Sequence, residues 1–244
     1  MQPVKYRILC TRPLTDSTIA AAGENGILID VQEFIRIKPL LLPALANVSG
    51  LQEVFGDNRP CIFTSAHAVQ ILADFYLQPA RFTIRNPVCC ISGNTRKTVT
   101  TRFPDCPVIA DAAYGKDLAA AIIRTGHIRE VNFFCGNQRR DELPEILQQA
   151  GIQVNEMVIY ENVPTPAVTA EKYDGILFFS PSAVKSFFSA NTLPPETVCF
   201  AIGSTTAAAL KSYTDNNIIM SHDTMEVSMV QTAIYYFNNN NCYE

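Results

Sequence analysis

Residues 8–30, ILCTRPLTDSTIAAAGENGILID, recur in kind 125 positions later as FFCGNQRRDELPEILQQAGIQVN, setting Cys10 on Cys135 and Gly26 on Gly151. Two further stretches follow the same order. IFTSAHAV aligns with LFFSPSAV, Ser65 on Ser180, and VCCISGNTRKTV aligns with VCFAIGSTTAAA, Gly93 on Gly203. A chain that repeats itself on this scale is built twice from one plan. Within each copy, short runs rich in Val, Ile and Phe (YRILCT, GILIDV, CIFTS, VCCIS, VNFFC, GILFFS, VCFAI) alternate with helix-like segments at about 15–25, 66–76, 94–102, 116–125, 138–149 and 224–237. Continuous apolar strands followed by amphipathic helices point to α/β architecture, with parallel sheets covered on both faces. Each half holds five such βα units.

A plain tandem would divide near residue 125, but the connection TGHIRE there is as short as a loop inside a domain. The long, Pro-containing connections are IRIKPLLLPALANVSGLQEVFGDNRP and YENVPTPAVTAEKY. Boundaries belong in such segments. The expected organisation is therefore a discontinuous α/β domain, 1–36 plus 168–244, and a continuous one, 40–161. Each would be a parallel five-stranded, flavodoxin-like sheet flanked by helices. Linkers at about 33–40 and 160–168 would form a two-stranded connection, a hinge over a cleft.

With 48% hydrophobic residues the chain can bury a sizeable core, and a net charge of −4 with pI near 5.4 supplies no basic face for nucleic acid. Neither a secretory leader nor a membrane-length apolar run is read in it, so a soluble, cytoplasmic protein without membrane partners is expected. Of eight cysteines, Cys10, Cys61, Cys89, Cys90, Cys135 and Cys199 sit in or beside apolar strands, as buried free thiols do. Cys106, in a loop, and Cys242, in an Asn-rich tail expected to be disordered, receive no role.

In open parallel sheets ligands bind beyond the carboxyl ends of the strands, where helix N-termini offer unpaired N–H groups and partial positive charge. Thr11-Arg12, Ser65, Ser92-Gly93, Gly136-Asn137, Ser180, and Gly203 with Ser204, Thr205 and Thr206 all fall at such corners. Taken singly, each hydroxyl reads first as a helix N-cap, the commonest use of Ser and Thr at this position. Six alike point to a large ligand with several carboxylates or phosphates. Arg139 and Arg140 are either a solvated pair or a carboxylate clamp. His67, His127 and His222 show no metal spacing, and the dinucleotide, P-loop and hydrolase-elbow motifs are missing.

The motifs ILCTRP, FTSAHAV, CGNQRRDELP (135–144), the Tyr before VP, FFSPSAV and IGSTTA, in that order along nearly the whole chain, resemble the uroporphyrinogen-III synthase family. The resemblance implies two α/β lobes, one discontinuous, and a cofactor-free, metal-free enzyme of tetrapyrrole synthesis. Its substrate would be hydroxymethylbilane, handed over by hydroxymethylbilane synthase, and the chain would act as a monomer. It assigns Tyr160 as the catalytic group, a hydrogen-bond donor to the departing hydroxyl; the matching repeat position is Ile35. Packing between linker strands is the other reading of Tyr160. Ser65, Ser180, Thr206 and Arg140 are its first substrate contacts, joined by Arg12, His67, Ser92, Gly93, Gly136, Asn137, Gly203 and Thr205. Three positions depart from the family pattern: Asn162 where Thr is frequent, Arg96 where the first GxxT motif would place Thr, and His67 where Arg is frequent. The alternatives are a non-catalytic two-lobed protein that binds or senses a polyanionic tetrapyrrole-like ligand, and a sugar-phosphate transferase, which would need a catalytic acid pair that the sequence does not offer.

Overall fold

A computed structural model describes residues 3–169 and 171–239; the end of the Asn-rich tail, with Cys242, lies outside the described residues. The chain opens with β1 (Tyr6–Cys10), α1 (Asp16–Glu24), β2 (Ile27–Val31), β3 (Ile35–Pro39), α2 (Val48–Phe55) and β4 (Cys61–Phe63). Next come α3 (Ala66–Ile71), a π-helical stretch (Leu72–Leu77), α4 (Gln78–Ala80), β5 (Val88–Ile91), α5 (Asn94–Arg102), β6 (Val108–Ala112) and α6 (Gly115–Arg124). The remainder is β7 (Glu130–Gly136), α7 (Glu142–Gln149), β8 (Gln153–Pro164), β9 (Gly175–Phe178), α8 (Pro181–Phe188), β10 (Val198–Ala201), α9 (Ser204–Leu210), β11 (Ile218–Met220) and α10 (Glu226–Asn239). Among the described residues no helix is long and apolar enough to cross a membrane.

Two units result, one of residues 1–36 and 163–244, the other of residues 37–162. The first has a five-stranded sheet in the order β2-β1-β9-β10-β11, all neighbours parallel. Helices α1 and α10 cover one face through Ala22, Met229, Val230, Ala233 and Phe237. The other face is covered by α8 and α9 through Val184, Phe187 and Leu210, with Phe34 and Phe178 edge-on to Phe187. Strands β9 and β10 are buried at every position, as burial on both faces requires.

The second sheet has six strands, β3-β8-β7-β4-β5-β6, not the expected five. The addition is linker strand β3. Leu40 N–H donates to the Ile159 carbonyl (2.9 Å) and Thr165 N–H to that of Phe34 (3.0 Å), so pairing runs antiparallel along a long β8. Setting β3 aside, the two sheets have the same order when strands are matched by the sequence repeat, β7 with β1, β8 with β2, and β4, β5, β6 with β9, β10, β11. They differ only in where the chain enters.

Two other expectations are corrected. The connection after β3 contains α2, capped by Asn47 Oδ1 accepting from Gly50 N–H (2.9 Å) and packed through Leu51, Val54 and Phe55. The helix read over 138–149 begins only at Glu142. Asn137 N–H still donates to the Tyr160 carbonyl (3.0 Å), prolonging the β7–β8 ladder, while Arg139 is tied to Asp141 and to Glu156 of β8, which holds the segment out of the helix.

Candidate functional site

In both sheets the strand order reverses beside one pair of strands, β1 and β9 in the first, β7 and β4 in the second. Helices after these two strands leave toward opposite faces, which opens the crevice where such sheets take ligands. In the second unit Tyr160, Ser65, His67, Gly136, Asn137 and Asn162 meet there. Tyr160 arrives by a register shift: Cys135 pairs with Val158 but Gly136 with Tyr160, so Ile159 is extra. Ordinary alternation sends Val154 and Val158 to the α6–α7 face and Met157 to the α3 face. The bulge puts Ile159 and Tyr160 side by side in the α3-face core, and such bulges re-aim side chains.

The Tyr160 side chain is buried, and burial raises its phenol pKa while a hydrogen bond from the Ser65 hydroxyl opposes the rise. The His67 ring stands edge-on to it, centroids 6.2 Å apart. Asn137 Oδ1 accepts from Asn162 N–H (3.0 Å), closing the corner. Ser65 also caps α3, accepting from His67 N–H (3.2 Å). The Ser65 hydroxyl thus serves both the helix cap and the phenol. Nearby Cys135, like Cys10 at the matching strand end, is pushed by burial up to about 12, so both stay thiols and neither is a nucleophile at neutral pH.

At the crevice of the first unit, Ser180 caps α8, accepting from Ala183 N–H (3.1 Å) beside Ser182 Oγ. The Arg12 guanidinium lies over the Phe179 ring, 4.1 Å from its centroid, and pairs with Glu226 at 3.5 Å. Glu226 in turn accepts from Thr15 N–H (3.0 Å), Thr15 Oγ1 (2.6 Å) and Thr18 Oγ1 (3.1 Å). Burial pushes this carboxyl up, but those donors and Arg12 outweigh it and leave its pKa lowered. At the next corner Gly203 precedes α9, with Thr205 exposed and Thr206 buried.

A family model described as uroporphyrinogen-III synthase HemD matches residues 17–231. The chain belongs to the uroporphyrinogen-III synthase family. Its curated relative from Chlorobaculum parvum, named uroporphyrinogen-III synthase, is 26% identical over 229 residues, 84% of this chain and 88% of that one. Two solved structures share the fold. The uroporphyrinogen-III synthetase of Helicobacter pylori matches with TM-score 0.69 and 17% identity over 95% of this chain and all of that one. A mutant uroporphyrinogen III synthase of Thermus thermophilus matches with TM-score 0.63 and 13% identity over 97% of this chain and all of the other. The activity that goes with family membership is the cyclisation of hydroxymethylbilane in tetrapyrrole biosynthesis.

Within that family frame the expected residues divide. Ser92 Oγ donates to Asp111 (2.9 Å), which also pairs with Arg96; the hydrogen bond and the guanidinium lower the Asp111 pKa. That corner, beside exposed Gly93, already faces a carboxylate of the chain itself. Arg139 is engaged by Asp141 and Glu156, and the next residue, Arg140, is exposed. Gly136 and Asn137 are not at a helix N-terminus, since α7 starts later and carries Glu142 and Glu145 in its first turn. Asp111, Phe179 and Glu226 went unnoticed in the sequence: each acts on a partner far along the chain, and no local spacing marks it.

Proposed function

We propose that the chain closes hydroxymethylbilane to uroporphyrinogen III with inversion of the last pyrrole ring and loss of water, with Tyr160 donating a hydrogen bond to the departing hydroxyl. The observation that carries this reading is the buried phenol beside Ser65, set by the β8 bulge opposite Gly136 at the end of β7. A phenol of raised pKa is neutral at physiological pH and can donate its O–H.

The pyrrole nitrogen expels the hydroxyl and leaves an electrophilic azafulvene. The substituted carbon of the last ring attacks it, forming a spiro-pyrrolenine; a neighbouring ring-to-methylene bond then breaks, and the released fragment recloses at the terminal carbon. The proton lost from that carbon balances the hydroxide, so water is the by-product. Because the bilane closes unaided to the non-inverted isomer, the protein's main task is to hold one conformer, for which proximity and orientation supply up to about 7–11 kcal/mol. Ser180, Arg12, Arg140, Gly203, Thr205 and the backbone amides at the strand ends are assigned to substrate carboxylates.

The proposal includes a monomer acting in the cytoplasm on substrate handed over by hydroxymethylbilane synthase. Seven described cysteines, all free thiols, suit a reducing compartment. The test generates hydroxymethylbilane in situ, adds the purified protein, oxidises the products and separates the uroporphyrin isomers. Predominantly type III is expected; type I alone, at the uncatalysed rate, overturns the proposal in favour of a binding protein.

A further inference from the structure

At the end of β7, Gly136 lies against the Tyr160 ring. A Cβ on Gly136 would fall inside contact distance of ring carbons Cε2 and Cζ and 2.9 Å from the hydroxyl oxygen. Backbone conformation does not call for glycine there. The described glycines of positive φ are Gly26, Gly93, Gly126 and Gly151, and Gly136 is not among them. Space is the requirement, and the ring fills it.

The bulge supplies the second half of the arrangement. With Ile159 extra, Tyr160 stands directly opposite Gly136, and Ser65 and His67 bound the ring on other sides. We infer that Gly136 is a positioning residue for Tyr160: its missing side chain is the seat on which the phenol lies, and the Ile159 bulge drops the ring into it. This role rests on Tyr160 being the hydroxyl donor. It replaces the expectation that Gly136 serves by touching substrate, and it predicts that a methyl group at 136 acts on turnover, not on affinity.

Gly136→Ala, Tyr160→Phe and the double variant are compared in the isomer-resolved assay. Gly136→Ala is expected to lower kcat about as far as Tyr160→Phe, roughly ten-fold, with KM within about two-fold of wild type. In the double variant the losses should not multiply, because the misplaced hydroxyl is already gone. Wild-type kcat in Gly136→Ala, or multiplying losses, overturns the inference. Thermal unfolding decides the matter independently of activity. Gly136→Ala should lower Tm in the wild-type background and leave it unchanged in a Tyr160→Ala background, where no ring occupies the seat. An equal drop in both backgrounds overturns the inference. If Tyr160→Phe itself keeps full turnover, the donor role of Tyr160 fails, and the Tm comparison still decides whether Gly136 seats the ring.

Discussion

Tyr160 is a phenol that the fold keeps protonated. Its pKa is raised by burial, so its stabilising contribution is complete below the ordinary tyrosine value near 10 and is lost as pH rises through the higher folded value. Activity that depends on its O–H should therefore hold to the same alkaline limit. Tyr160→Phe should cost roughly ten-fold in kcat, about 1.4 kcal/mol, and should remove the alkaline limb of the pH–rate profile; a limb that persists unchanged in the variant belongs to another group. Arg140 stands differently. Exposed after β7, it can change what the site grips without touching the bond that breaks. Arg140→Ala should raise KM more than it lowers kcat, and an unchanged KM removes it from substrate binding. Tyr160 stands out in the sequence because a functional phenol need occur only once in a repeated chain, and its counterpart is Ile35. The glycine beneath it was legible only as a strand-end residue, since the collision it avoids is with a side chain 24 positions on.

At the scale of elements, two corners that the sequence marked as anion sites hold the chain's own carboxylates. Glu226, the first residue of α10, accepts from the hydroxyls and amide at the start of α1, and Asp111 is held by Ser92 and Arg96. These contacts fasten elements together. The Glu226 pKa is lowered by those donors against the push of burial, so its stabilising contribution is present above the unfolded value near 4.3 and fades as pH falls below it. Glu226→Gln should cost about 1 kcal/mol, the size of a lost helix cap, and should flatten the acid side of the stability profile; a denaturation series from pH 7 to about 3 checks both. No reading of spacing finds this pair, because Thr15 and Glu226 are 211 residues apart. The bulge was hidden for another reason: MVIY is apolar throughout, so nothing in it reports a break in alternation. Helix α2, by contrast, is written in the sequence as Asn47 followed by Leu51, Val54 and Phe55, and the prolines around it give the segment the look of a linker.

For the whole molecule, the repeat predicted more than its own alignment shows. Strands matched by the repeat take matching places in the two sheets, although one unit is entered at its first strand and the other at its third. That permutation follows from the chain leaving the first unit after β2, before its remaining three strands are made, and returning only after the second is complete. The crossings fall in β3 and β8, and their antiparallel pairing sets Arg36 opposite Val163. Two paired linkers were expected, but nothing local shows that β8 runs on from the second sheet into that pairing and so makes β3 its sixth strand. It has a consequence for folding, however, because each unit holds its own apolar cores on both sheet faces. Domains built so fold alone. Residues 37–162 expressed by themselves should unfold cooperatively, and so should the first unit if Arg36 is joined to Val163 through Asn-Gly, the two-residue turn that suits antiparallel strands. Circular dichroism with thermal melting measures this: two sigmoidal transitions support independent units, while a fragment without a transition shows that its sheet is completed only in the full chain.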